Sequence, residues 1–289
     1  LPNKPNQKWS WSEAQEIVLT SFNELSPEIA KIAHKFFENN WIDAEIRNGK
    51  DSGAYSHPCV PDVHPYILMN YNGKSRDVMT LAHELGHGVH QVLASKNGYL
   101  LADTPLTLAE TASVFGEMLV FQKLLSKADS KQEKNSMIAE KVEDMLNTVV
   151  RQIAFHNFET SFHNKRKSNE LTPDEISEIW METQSQALGD AINLDDSYKP
   201  LWSYIPHFVH TPFYVYAYAF GDCLVNSLWQ VRLSGQSSFT ESYLNLLKSG
   251  GKKHHKEALA PFGLDASDPE FWNIGLNTIS SLIDELEAA

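Results

Sequence analysis

Apolar residues near the start of the chain recur at helical spacing. Ala14, Ile17, Val18, Phe22 and Leu25 follow Ser10-Trp11-Ser12-Glu13, a box in which the serine and the glutamate three residues on satisfy each other's free backbone N–H groups. Ser26-Pro27-Glu28 opens a second helix, with Ile29, Ile32, Ala33, Phe36 and Phe37 as its buried stripe and Asn39-Asn40 as its end. From Asp43 to Gly73 the texture changes. Gly49, Gly53 and Gly73, with Pro58, Pro61 and Pro65, separate short runs such as Ala44-Glu45-Ile46 and Tyr66-Ile67-Leu68-Met69, which predict short strands and turns. After Ser75 the helical period returns. Thr104-Pro105 reads as the cap and first residue of one helix. A long helix is expected over 132–166 with Ile138, Val142, Met145, Val149 and Ile153 on one face, and others over 174–187 and 277–286. The run from Gly250 to Lys256 reads as a solvated loop. The prediction is a mainly α protein, a single domain over residues 1–289 with a small β-hairpin or sheet inserted early.

Composition narrows the function classes. With 289 residues, 42% hydrophobic and 21% charged, the chain has the makings of a large globular core. No apolar run reaches the roughly 18 residues of a membrane-spanning helix. A formal charge of −13 argues against a nucleic-acid surface, which needs a basic face. Two cysteines, Cys59 and Cys223, do not make a disulfide scaffold and suit the cytoplasm. The sequence starts at Leu1, so the native N-terminus is expected to lie further upstream.

The chemistry concentrates at His83-Glu84-Leu85-Gly86-His87, an H-E-x-x-H within a helical stretch. Residues four apart on a helix stand one above the other, so both imidazoles can reach one zinc ion at about 2.0–2.1 Å. Glu84, one position along, stands beside the metal, where a carboxylate can take a proton from a water that the metal activates. A catalytic zinc takes three protein ligands. His90 is not the third, because seven residues of rigid helix place it about 10 Å from His83. Glu110, in the otherwise apolar run Thr107 to Gly116, is the preferred candidate, since a buried carboxylate is costly unless paired or metal-bound. Small residues on both segments (Gly86 and Gly88; Ala109, Ala112, Ser113 and Gly116) let the two helices approach. Glu117 is the alternative, or else the group that orients a ligand histidine.

A second constellation, His207, His210, Tyr214, Tyr216 and Tyr218, supplies donors of the kind an oxyanion needs. On a helix after Pro212, Tyr214 and Tyr218 share a face that His207 and His210 can extend, and Tyr216 points elsewhere. The alternative is an aromatic core helix. A third set, His156, Glu159 and His163, is read as packing among Phe155, Phe158 and Phe162.

Several longer motifs carry a family resemblance. They are Gly49-Lys50 with Gly53-Ala54-Tyr55-Ser56-His57-Pro58, Pro65-Tyr66, Asn70-Tyr71, Asp77 to His87, Leu108-Ala109-Glu110-Thr111-Ala112-Ser113, Ile205-Pro206-His207-Phe208, Phe213-Tyr214-Val215-Tyr216 and Pro261-Phe262-Gly263-Leu264. Together they resemble the catalytic, C-terminal half of the oligoendopeptidase F enzymes, in the thimet oligopeptidase family of zinc metallopeptidases. The resemblance implies a helical, zincin-type domain, one Zn2+ held by His83, His87 and Glu110, and Glu84 as general base. It implies that a histidine and tyrosines near His207 stabilise the oxyanion, drawn from His207, His210, Tyr214, Tyr216 and Tyr218, with His207, His210, Tyr214 and Tyr218 preferred. It also implies that the hairpin around Gly53 to Tyr71 holds a short, extended peptide substrate by strand addition, and Gly53, Ala54, Tyr55 and Tyr216 are the substrate-binding candidates. Members are about twice this long, so an N-terminal half of the same enzyme is expected as a partner. A catalytically incomplete zinc-binding fragment and a related metallocarboxypeptidase are the alternatives.

Overall fold

The computed structural model describes residues 8–288. Helix α1 (Trp11–Leu25) starts at Ser10, whose side chain and Glu13 form the expected reciprocal cap. Helix α2 (Pro27–Glu38) starts at Ser26, which accepts from the N–H of Glu28. Asn40 then takes a left-handed φ of 57°, which turns the chain out of the helix.

The sheet has three short strands, β1 (Ile42–Asp43), β2 (Tyr55–His57) and β3 (Tyr66–Leu68), in the order β1-β3-β2. β1 runs parallel to β3 with Ile42 opposite Ile67, and β2 runs antiparallel with Ser56 opposite Ile67. The first strand lies ahead of the predicted Ala44-Glu45-Ile46, and Ile46 is exposed. A lysine explains the shift. The buried Lys50 ammonium takes the carbonyls of Asp43, Glu45 and Met69 and pairs with the Asp43 carboxylate, so the chain curls around it and leaves the sheet.

The remaining helices are α3 (Ser75–Ala94), α4 (Leu106–Ala109), α5 (Thr111–Lys127), α6 (Lys131–Leu146), α7 (Gln152–Arg166), α8 (Pro173–Leu188), α9 (His207–His210), α10 (Tyr216–Leu233), α11 (Phe239–Ser249), α12 (His255–Leu259) and α13 (Pro269–Glu287). Pro105 stands at the cap of α4, one position beyond where the sequence placed Thr104. α6 and α7 form the expected long rod, joined by a π turn over Asn147–Arg151. The extra residue of that turn rotates the buried face. Ile138, Val142, Met145 and Val149 are buried as expected, but Ile153 is exposed and Ala154 and Phe155 are buried instead. α13 begins well before residue 277, because Asp268 caps it ahead of Pro269. The 250–256 stretch is exposed at Lys252, Lys253 and His254, whereas Gly250 is buried against the carbonyl of Leu101.

α3 is the centre of the main core, with Val78, Leu81, Leu85 and Val89 packed among Phe22, Phe36, Phe115 and Leu119. A second core, with Phe155, Phe158, Ile179, Trp180, Ile205 and Val215, ties α7 and α8 to the segment before α10. α10 belongs to both, with Tyr218 at one end and Leu224, Val225 and Leu228 at the other. Among the described residues no helix is long and apolar enough to cross a membrane.

Candidate metal centre

The H-E-x-x-H lies inside α3, so His83 and His87 project from the same face one turn apart. Two glycines set what can approach that face. A Cβ on Gly86 would stand 2.4 Å from the carbonyl oxygen of Ala112, and one on Gly116 would stand 2.9 Å from that of Ala82. α3 and α5 therefore touch backbone to backbone. Glu110 occupies the junction between α4 and α5, with φ −82° and ψ 0°, and this break delivers its side chain to the two histidines. Gly221 of α10 lies against its stem, and the Ser113 hydroxyl donates to its Oε2 at 2.7 Å.

Three donor atoms result. The Nε2 atoms of His83 and His87 are 3.1 Å apart, and Glu110 Oε2 lies 3.5 Å from the first and 3.4 Å from the second. Ligands at 2.0–2.1 Å from a tetrahedral zinc would be about 3.3 Å from one another. The triangle fits that ion without rearrangement. Among the described residues it is the one group of three or more His, Cys, Asp or Glu side chains arranged to hold a metal.

Glu117, the alternative ligand, is engaged elsewhere. Its Oε1 is 2.5 Å from His83 Nδ1, which holds an N–H there and points Nε2 toward the triangle. Its other oxygen lies 3.6 Å from the buried ammonium of Lys141. Burial alone would lower the His83 pKa, but the Glu117 carboxylate, with Glu110 and Glu84, holds it at about 9. Burial would raise Glu110, and the adjacent His87 and His83 bring it down to about 2. His90 is buried, 3.2 Å from the Thr104 hydroxyl, and burial pushes it down to about 3.

Glu84 is 5% exposed, and its Oε2 has no hydrogen-bond partner. Burial raises its pKa, opposed by the charges of His83 and His87. It lines a recess of about 540 Å³ together with Gly53, Ala54, Arg76, His83 and Asp144. A larger recess of about 900 Å³ opens on the His87 side, walled by Trp41, His57, His64 and Tyr99. β2 is the sheet edge nearest α3, held there by Ser56, whose hydroxyl and carbonyl pair with the Gln91 amide. Tyr55 turns away from the Glu84 recess into a groove with Trp41 and Tyr66.

The second constellation separates. His207 Nε2 and the Tyr218 hydroxyl are 3.2 Å apart, and the Tyr214 ring is 5.2 Å from that of Tyr218. Burial pushes Tyr218 up to about 12 and also raises Tyr214, and the Glu110 charge adds to both, so these phenols stay protonated donors close to the metal ligands. His210 is exposed at the end of α9, outside this cluster. Tyr216 lies against the His156 ring at 5.6 Å. Glu159 and His163, read as packing, both contact Phe213.

Lys141 and Gly221 carried no expectation from the sequence, and Ser113, expected only as a small residue between the helices, also bonds Glu110. Lys141 did leave a signal, since it falls on the buried stripe of α6 between Ile138 and Met145. A lysine there needs an internal anion.

A helix presenting H-E-x-x-H to a carboxylate from a neighbouring helix, beside a cleft and an edge strand, is the architecture of a metallopeptidase. Residues 20–278 match peptidase family M3, and the chain belongs to that family. It is 30% identical to oligopeptidase PepF of Bacillus subtilis over 99% of this chain and 43% of the relative. It is 29% identical to the chromosomal oligoendopeptidase F of Lactococcus lactis subsp. cremoris, over 99% of this chain and 47% of the relative. A crystal structure of a putative peptidase from Chlamydophila abortus superposes with a TM-score of 0.84 at 33% identity, covering 99% of this chain and 48% of that one. PZ peptidase A with an inhibitor shares the fold, with a TM-score of 0.81 at 20% identity over 99% of this chain and half of that one. The chain spans about half the length of the relatives it matches.

Proposed function

We propose that residues 1–289 form the catalytic domain of a zinc-dependent endopeptidase that cuts internal bonds of short oligopeptides. The observation that carries the reading is the donor triangle of His83, His87 and Glu110, sized for one tetrahedral Zn2+ and open to a cleft that contains Glu84. Zinc, when bound there, supplies a Lewis acid that polarises a carbonyl and makes a water easier to deprotonate. This chain's own residues do the rest. Glu84, buried and with one oxygen unpaired, accepts the proton of the attacking water and returns it to the leaving amine. Tyr218 and His207, with Tyr214 beside them, donate to the oxyanion. Gly53 and Ala54, which line the same recess as Glu84, hold the peptide backbone along the sheet edge. His210 and Tyr216 stand outside this donor cluster and are assigned no step.

Two features of the wider protein belong to the same reading. Relatives about twice as long support a catalytic half that works with an N-terminal half of the same enzyme. Cys59 and Cys223 are both free thiols, in keeping with the cytoplasm. A carboxypeptidase is the second reading, because Arg76 places a cation in the Glu84 recess, where a substrate carboxylate could dock.

The test is hydrolysis of an internally quenched peptide of about ten residues, with product analysis, by the parent and by Glu84→Gln. Internal cuts that a zinc chelator abolishes, and that Glu84→Gln loses while keeping its zinc, are expected. Chelator-resistant cleavage, or full turnover by Glu84→Gln, would overturn the mechanism. Release of terminal residues alone would favour the carboxypeptidase, and zinc binding without cleavage would favour an incomplete fragment.

A further inference from the structure

The turn between α9 and α10 is built against local preference. Phe213 has a φ of 61°, a left-handed conformation that a bulky side chain rarely adopts. It is held from outside the turn. The Phe213 N–H donates to Glu159 Oε1 on α7 at 2.8 Å, across 54 residues of sequence. Glu159 is 1% exposed, and its other oxygen is buried without a partner. The Phe213 ring lies 4.9 Å from the His163 ring and 6.4 Å from that of His156, whose Nδ1 is also buried and unpartnered. A carboxylate so deeply buried, with half of its bonding capacity unused, is an expensive way to fill space. Its one bond goes to the residue immediately before Tyr214.

That position matters because of what the turn carries. Tyr214 follows Phe213 directly, and Tyr218 stands on the first turn of α10, with its N–H bonded to the carbonyl of Val215. Their rings pack at 5.2 Å, and Tyr218 reaches His207 on the other side of the turn. A change of φ at residue 213 turns Tyr214 and the start of α10 relative to His207, and so alters how the cluster faces Glu110 at the α4–α5 junction.

We propose that Glu159 is a positioning residue, a buried clamp on the Phe213 N–H that holds the 211–215 turn in its left-handed form and thereby aims Tyr214 and Tyr218 at the metal centre. The proposal rests on the peptidase reading for its catalytic consequence, though not for its structural one. Leucine at 159 removes the acceptor and keeps the volume, whereas glutamine keeps an oxygen that can accept the same N–H. Glu159 touches neither ligand nor substrate recess, so its loss acts only through the turn.

The test combines amide hydrogen exchange at Phe213 with steady-state hydrolysis of the quenched peptide and zinc affinity, for the parent, Glu159→Leu and Glu159→Gln. In Glu159→Leu the Phe213 amide exchanges at least about tenfold faster and kcat falls by about ten- to a hundredfold, with KM and zinc affinity little changed. Glu159→Gln restores both exchange protection and most of kcat. If Glu159→Leu does not fold, judged by circular dichroism, Glu159→Ala replaces it under the same expectations. Unchanged Phe213 protection in the leucine or alanine variant overturns the clamp, and so does an equal loss of kcat in the glutamine variant. A parent chain that cleaves no peptide would remove the peptidase reading, and the exchange rates would still decide whether Glu159 holds the turn.

Discussion

Replacing Gly86 with alanine sets two effects of opposite sign against each other. Gly86 lies within α3, where helix propensity alone makes alanine better than glycine by about 1 kcal/mol. The added Cβ, however, would stand 2.4 Å from the Ala112 carbonyl oxygen and 2.7 Å from the Ala112 carbonyl carbon and the Ser113 Cα, where ordinary contact begins at 3.4 Å. All three obstacles are backbone, so no side chain can swing aside. The two helices must separate by about 1 Å, at a cost at the upper end of overpacking, about 3 kcal/mol. The clash wins, and Tm should fall by on the order of 5 °C. The larger effect is on the site. Glu110 enters from the α5 side and the histidines from α3, and ligand distances tolerate only about 0.2 Å. Zinc affinity should therefore drop by about a hundredfold or more, read by competition with a chromogenic chelator. Gly88→Ala is the contrast: the nearest atoms to its Cβ, at 2.6 and 2.8 Å, belong to the buried Phe36 side chain, so its strain falls on the core and not on the α3–α5 backbone contact. A Gly86→Ala protein with an unchanged or raised Tm and parental zinc affinity would refute the claim that backbone contact between these helices builds the site.

Two further perturbations probe the charges behind the ligands. Lys141→Met removes the ammonium facing Glu117 and should weaken zinc binding by about tenfold through the His83 orientation; equal affinity would break that chain. Asp222 is 4% exposed, and burial, against the Lys141 charge, pushes its pKa up to about 6 from 3.8. Its ionised form is thus penalised in the fold, with no cost below pH 3.8 and a full cost above about pH 6 of about 3 kcal/mol. Asp222→Asn, which keeps an oxygen for the Asn226 amide, should match the parent near pH 4 and exceed its stability by up to that amount at pH 8. A stability difference independent of pH would contradict this.

The parts of the protein most legible in its sequence are those governed by local rules. Ser10 and Ser26 announce the starts of α1 and α2, and helical period alone brings His83, Glu84 and His87 to one face. What stayed hidden depends on neighbours distant in sequence. The bend after β1 follows from Lys50 seeking the Met69 carbonyl, and the helix break that presents Glu110 depends on α3 and Gly221 closing around it. The π turn that exposes Ile153 has no local marker, so a straight helical period carried the predicted face one residue too far. Lys141 and Glu159 left a visible trace as ionisable groups on buried faces, but their partners, Glu117 and the Phe213 amide, lie 24 and 54 residues away.

The central claim is that His83, His87 and Glu110 together hold one zinc ion. Zinc bound per chain, measured by elemental analysis after dialysis, addresses it in the parent and in His87→Ala. The account predicts one equivalent in the parent and none retained in the variant, with both proteins folded. A full equivalent held by His87→Ala would place the metal elsewhere and contradict it.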